Sequence, residues 1–132
     1  MKSYDAVMTA DAWRKSPDDL QERFGAVVSG IEGMERRQMF GYPAAFVGGH
    51  LTTSLFRDAW IVRLPDDERQ ACLDAGGSTF EAMPGRPMRE YVALPTEVAA
   101  DPEQAEPWVE RAVAYVRTLP PKQAKKPKQR SR

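Results

Sequence analysis

Between Gly33 and Pro65 the apolar residues recur with a period near two, interrupted by turn-forming residues at Gly41-Tyr42-Pro43, Gly48-Gly49 and Arg57-Asp58-Ala59. Side chains on a strand alternate between two faces, whereas a helix repeats every 3.6 residues, so this stretch is incompatible with an all-helical chain. Turns spaced by roughly eight to ten residues leave no room for parallel crossovers, and the segment reads as consecutive antiparallel strands. The expected strands run from near 35 to 40, over 44–47, over 50–56 and over 60–64. Gly48-Gly49 can supply the positive φ angles of a tight hairpin turn. In the return strand Leu51, Thr53 and Leu55 point one way and His50, Thr52, Ser54 and Phe56 the other, while Trp60, Val62 and Leu64 share a face.

Helices bracket this meander. Ser16-Pro17-Asp18-Asp19 predicts a helix over 17–29: a hydroxyl to cap free N–H groups, proline at the first helical position, and two acids against the positive end of the dipole. Leu20, Phe24, Val27 and Val28 give it one apolar face, and Gly30 and Gly33 end it. Pro65-Asp66-Asp67-Glu68 opens a second short helix with Ala71, Cys72 and Ala75, which stops at a left-handed Gly76-Gly77. Extended pieces follow around Phe80–Met83 and over Arg89–Leu94, separated by the turn Pro84-Gly85-Arg86-Pro87 and closed by Pro95. Asp101-Pro102 with Gln104 opens a last helix, whose stripe of Ala105, Trp108, Val109, Ala112, Tyr115, Val116 and Leu119 should cover one sheet face before Pro120-Pro121.

With 132 residues, 42% hydrophobic and 29% charged, the chain reads as one soluble domain of ordinary size. The division expected is an N-terminal extension over 1–15, an α+β domain over 16–120 and a basic tail over 121–132, with no internal repeat. Cys72 is the single cysteine and cannot form an internal disulfide, which fits a reducing, cytoplasmic setting. No run reaches the roughly 18 apolar residues of a membrane span, and Met1–Lys15 lacks the basic-then-apolar order of a signal peptide. The net charge of zero averages two unlike parts. Of 19 basic residues six lie in 122–132, which leaves 13 against 19 acids in the body, a net of −6 facing a tail of +6.

Arg37-Gln38-Met39-Phe40-Gly41, Trp60-Ile61-Val62-Arg63-Leu64, the acid-led helix Asp66 to Gly76, Gly85-Arg86-Pro87-Met88 with Tyr91, and Leu94-Pro95 through Asp101-Pro102 to Trp108 occur in an order that resembles the N-terminal domain of TfoX/Sxy proteins, regulators associated with DNA transformation competence in bacteria. The resemblance covers about residues 20–119. It implies a two-layer α+β fold, an antiparallel sheet of about five strands flanked by N- and C-terminal helices in the order α-β(3)-α-β(2)-α. It also implies structural roles for Met39, Phe40, Gly41, Trp60, Gly76, Pro87, Tyr91, Pro95 and Trp108. Two departures stand out. Tyr42-Pro43 occupies the place where the family usually has a second glycine and a small residue, so a stiffer loop is expected after Gly41. Full-length competence regulators also have a further helical domain with helix-hairpin-helix character, where this sequence has the basic tail.

For chemistry the inventory is thin. One histidine and one cysteine in different elements exclude most nucleophile-and-base arrangements, and zinc needs four ligands, or three with water. Cys72 among Ala71, Leu73 and Ala75 reads as a small packed residue, and His50 as a strand-end residue. Asp18-Asp19 and Asp66-Asp67 stand at helix starts, where dipole complementarity accounts for them. The glycines form neither a Gly-x-Gly-x-x-Gly turn nor a phosphate loop. Met39-Phe40 and Trp60 read as core. No catalytic residue, cofactor or metal ligand is expected.

Two surfaces are candidates for binding. Arg36, Arg37, Arg57, Arg63, Arg86 and Arg89 would form an anion or partner surface if several projected together, with Tyr42 or Tyr91 for stacking; otherwise they belong to a solvated mixed-charge face. Lys122, Lys125, Lys126, Lys128, Arg130 and Arg132 could neutralise phosphates without reading sequence, or form a solubilising extension that folds back on the acidic body. The leading expectation is a non-enzymatic regulatory or adaptor domain acting through another protein. Weak nucleic-acid association through the tail is the alternative, and a small-ligand binder or enzyme comes third. No membrane partner is expected, and an exposed sheet face or edge favours a homodimer.

Overall fold

The computed structural model describes residues 15–39, 41–83 and 86–120, with the side chains of 81–83 and 86–88 left aside. The chain runs α1 (Asp18–Ser29), β1 (Glu35–Met39), β2 (Tyr42–Val47), β3 (His50–Phe56), β4 (Ala59–Arg63), α2 (Asp66–Asp74), β5 (Ser78–Met83), β6 (Arg86–Ala93), α3 (Thr96–Ala99) and α4 (Pro102–Arg117). All six strands pair antiparallel in one sheet of order β1-β2-β3-β4-β6-β5. The α+β class with an antiparallel sheet and flanking helices is as expected; the four strands before the connecting helix match the residue pattern and are one more than the order the resemblance implies, and a short α3 is added.

β2 begins two residues earlier than the expected 44–47. Tyr42-Pro43 is not a loop: both residues belong to β2, where Gln38 faces Pro43 and Met39 faces Tyr42 across a two-residue turn with Gly41 at φ +84°. Proline lacks an N–H for the ladder, and pairing of β2 to β3 begins one residue later, at Ala44 with Ser54. Gly48 and Gly49 both take positive φ, +59° and +84°, in the turn that joins Val47 to His50.

Register sorts the faces. Arg36, Ala45, Thr53, Val62, Val92 and Thr79 stand in one row across the sheet, and Arg37, Ala44, Ser54, Ile61, Ala93 and Ser78 in the next. The first face receives α1 and α4. Its core joins Ala45, Val47, Leu55, Trp60, Val62, Leu64, Val92 and Leu94 to Leu20, Phe24, Val27 and Val28 of α1 and to Ala105, Val109, Ala112, Val113 and Val116 of α4. Trp60 is fully buried, 5.5 Å from Phe24 ring to ring, and its indole N–H donates to Thr53 Oγ1 at 3.0 Å.

The second face is buried too. Tyr42, Ala44, Thr52, Ser54 and Ile61 are each at most 4% exposed. Tyr42, Phe56 and Phe80 run ring to ring across it at 5.3 Å per step. Strands lie about 4.8 Å apart, so a flat sheet would separate β3 from β5 by about 14 Å. Contact between Phe56 and Phe80 therefore requires the β5–β6 end to curl over this face. Register shifts in β5–β6 and between Ala45 and Phe46 supply the bends.

The helix ends follow their sequence signals with one exception. Asp101 caps α4, accepting from the Glu103 N–H at 3.0 Å, and Gly76 ends α2 at φ +111°. Ser16 does not cap α1. Its buried hydroxyl donates to the Arg57 carbonyl at 2.5 Å and ties the helix start to the β3–β4 turn, while Pro17 occupies the cap position. The long-range contact to the turn takes the hydroxyl, and the first N–H groups of the helix are left to other acceptors such as water.

Candidate functional site

Two polar constellations stand out. The first is an open groove of about 610 Å³ between α1 and the edge strand β1, walled by Asp18, Gln21 and Glu22 on the helix and by Arg36, Arg37 and Gln38 on the strand. Alternation splits the two arginines. Arg37 lies on the second face, paired with Glu35 at 3.1 Å and over the Phe46 ring at 5.0 Å. Arg36 lies on the helix face, where its Nη1, Nη2 and Cζ sit 3.5, 3.5 and 3.7 Å from the point at which a Cβ on Gly25 would project. The guanidinium is thus laid flat on the helix through the window that glycine leaves. Among the described residues no acid reaches it, whereas Asp18 is held by Lys15 at 3.1 Å.

The second constellation joins α4 to the sheet. Arg63 on β4 pairs with Glu90 on β6, Nη2 to Oε1 at 2.6 Å, and its Cζ lies 5.7 Å from the Tyr91 ring and 5.9 Å from the Tyr115 ring. The Tyr115 hydroxyl donates to Glu90 at 3.3 Å and that of Tyr91 to the Leu51 carbonyl at 3.2 Å. Burial raises both phenols above their ordinary pKa, with the Arg63 charge opposing it. Every polar group here has a partner, which makes this a clamp between elements rather than a receptive site. Sequence reading found Arg63 and Tyr91 but not Glu90, which stood in an unremarkable strand pattern; an acid on a strand beside a half-buried arginine strand is the signal that could have found it.

The remaining candidates are dispersed. Arg57 lies in the β3–β4 turn over Phe56 at 5.5 Å, and Arg86 and Arg89 lie on β6, which three intervening strands separate from β1 in the sheet. Cys72 is fully buried in the core, its thiol directed at the Ala93 carbonyl at 3.9 Å and pushed up to about 11 by burial. His50 Nε2 lies 2.6 Å from the Pro120 carbonyl, which only accepts, so this nitrogen donates and tethers the end of the C-terminal helix region to the β2–β3 turn. Among the described residues no three of His, Cys, Asp and Glu converge as metal ligands would, and no helix is long and apolar enough to cross a membrane. Phe40 and the tail cations Lys122 to Arg132 lie outside the described residues.

The family model for the TfoX N-terminal domain matches residues 26–116, from within α1 through all six strands to the last turn of α4. The chain belongs to the TfoX N-terminal domain family. Within this TfoX N-terminal domain Trp60 is fully buried in the core, Gly41 and Gly76 take positive φ, and Pro95 packs 3.7 Å from where a Cβ on Gly76 would stand. Trp108 is half-buried beneath the Arg111 guanidinium at 4.5 Å. No match was found among curated proteins or among solved structures.

Proposed function

We propose that this TfoX N-terminal domain is a non-enzymatic regulatory adaptor that acts by contacting another protein. The observation that supports the reading is the contrast between its two polar constellations. Side chains able to do chemistry are spent on internal contacts: the Cys72 thiol is buried and neutral, His50 holds Pro120, and Arg63, Glu90, Tyr91 and Tyr115 satisfy one another. The α1–β1 groove, in contrast, combines a strand edge and an arginine that, among the described residues, have no partner strand and no acid. Family membership adds an association with competence regulators, and a role in transcriptional regulation within the cytoplasm belongs to this proposal.

The density of cations in 122–132 favours a second reading, weak nucleic-acid association through the tail. Each phosphate contact contributes about −0.9 to the slope of log affinity against log salt. The experiment that separates the two uses intact protein and a variant lacking residues 121–132 as bait, at low and high salt. A protein partner held by both baits at both salts is the expected result. Retention only of nucleic acid, lost with the tail or with salt, would replace the adaptor with the second reading.

A further inference from the structure

Among the described residues β1 ends the sheet with no strand beside its outer edge, and Glu35 to Gln38 are all exposed. Its two-residue turn closes on the pair Met39 and Tyr42, and such a hairpin ends in residues that exchange both backbone hydrogen bonds. Alternation then turns the backbone groups of Glu35, Arg37 and Met39 toward β2 and those of Arg36 and Gln38 outward. An outward row of this kind is a template for another strand. Side chains of an added strand that share the Arg36 face would enter the groove between β1 and α1, where the guanidinium lies on the helix and pairs with no carboxylate of the described residues.

We propose that β1 and α1 form a docking groove for an extended segment of a partner protein, which adds as a strand on β1 and sets an acidic side chain on Arg36. The inference rests on the adaptor reading and names its surface. Arg37 makes no such demand, because Glu35 already neutralises it. Glu22 on the facing wall disfavours a run of acids, so the groove suits one carboxylate in an otherwise neutral strand rather than a polyanion. A second copy of the chain fits less well: full antiparallel overlap of two β1 strands sets Arg37 opposite Arg37. The cationic tail of the chain would meet Arg36 with like charge.

The test uses the full chain and a fluorescein-labelled nine-residue peptide of alternating valine and threonine with one central glutamate, beside a twin with central lysine. The glutamate peptide is expected to bind and to shift backbone amide signals of β1 and α1. Arg36→Gln should weaken it about three- to fivefold, the range of an exposed charge pair. Gln38→Pro removes an outward donor without touching the β1–β2 ladder and should weaken it about tenfold; unchanged amide signals in β3–β6 establish that the variant folds. Arg89→Gln, at an exposed position on β6 away from the groove, should leave binding as it was. Equal binding of the lysine twin, indifference to Arg36→Gln, no binding up to millimolar peptide, or a dimer of the free protein that Gln38→Pro dissociates would each overturn the proposal. A cellular protein partner held as tightly by Gln38→Pro as by the natural chain would sink the groove and leave the adaptor reading standing.

Discussion

At residue scale, Gly77 shows how much a single missing carbon can decide. A Cβ there would lie 2.6 Å from the Ala93 carbonyl and 2.8 Å from the Cys72 sulfur, because β5 leaves α2 at a point where the helix end and β6 close in. Gly77→Ala must push backbone aside, and urea unfolding should show a loss of about 3 kcal/mol. The neighbouring Cys72 makes a pH prediction. Its folded thiol is held from the ordinary 9.0 up to about 11, so across that window the unfolded chain gives up the proton first. Stability is therefore untouched below the window and falls as pH rises through it. Relative to Cys72→Ala, the natural protein should lose about 1 kcal/mol between pH 8 and pH 10, read from unfolding curves of both. A difference that stays flat would place the thiol in contact with water.

At the scale of elements, the clamp Arg63–Glu90–Tyr115 fixes α4 against the end of β4 and β6. Arg63 is 17% exposed and Glu90 39%, so water screens the pair only in part. Arg63→Met should cost about 1 to 2 kcal/mol, most of it from leaving Glu90 without its cation. A loss no larger than that of Arg89→Met would make the pair an ordinary surface contact. Asp101 works at the other end of the same helix, its carboxyl held below its usual pKa by the Gln104 amide and then the Glu103 N–H. Local sequence announced that cap correctly and announced the Ser16 cap wrongly, since only the first depends on residues within one turn. Pro107, inside α4, is exposed and lies off the apolar stripe, so a pattern read at every third or fourth position passes over it.

The whole molecule is organised by curl rather than by a flat platform. Phe56 meets both Tyr42 and Phe80 only because the β5–β6 end folds over the second face, so the ring line reports on tertiary shape. Phe56→Ala should remove about 3 kcal/mol and loosen β5 before β3, visible as faster amide exchange in Ser78–Thr79 than in Thr52–Ser54. Equal exchange in both strands would show that the curl does not depend on this ring. Charge is also distributed at this scale: an acidic body, a cationic tail, and within the body an edge strand whose Arg36 pairs with no acid among the described residues.

Sequence by itself determined what short range governs. The two-residue period made the meander antiparallel, glycine pairs placed the hairpin turns, and Asp101-Pro102 and Gly76 set helix ends, since each rests on backbone conformations of adjacent residues. It also fixed which side chains share a face, so Trp60, Val62 and Leu64 entered one core as their spacing requires. Only the tertiary structure decided that Tyr42-Pro43 is strand, that both sheet faces are buried, and that Arg36 rests open on a helix while its neighbour Arg37 is neutralised. Those outcomes depend on which strand lies at the edge and on partners tens of residues away, and a linear pattern contains no term for either.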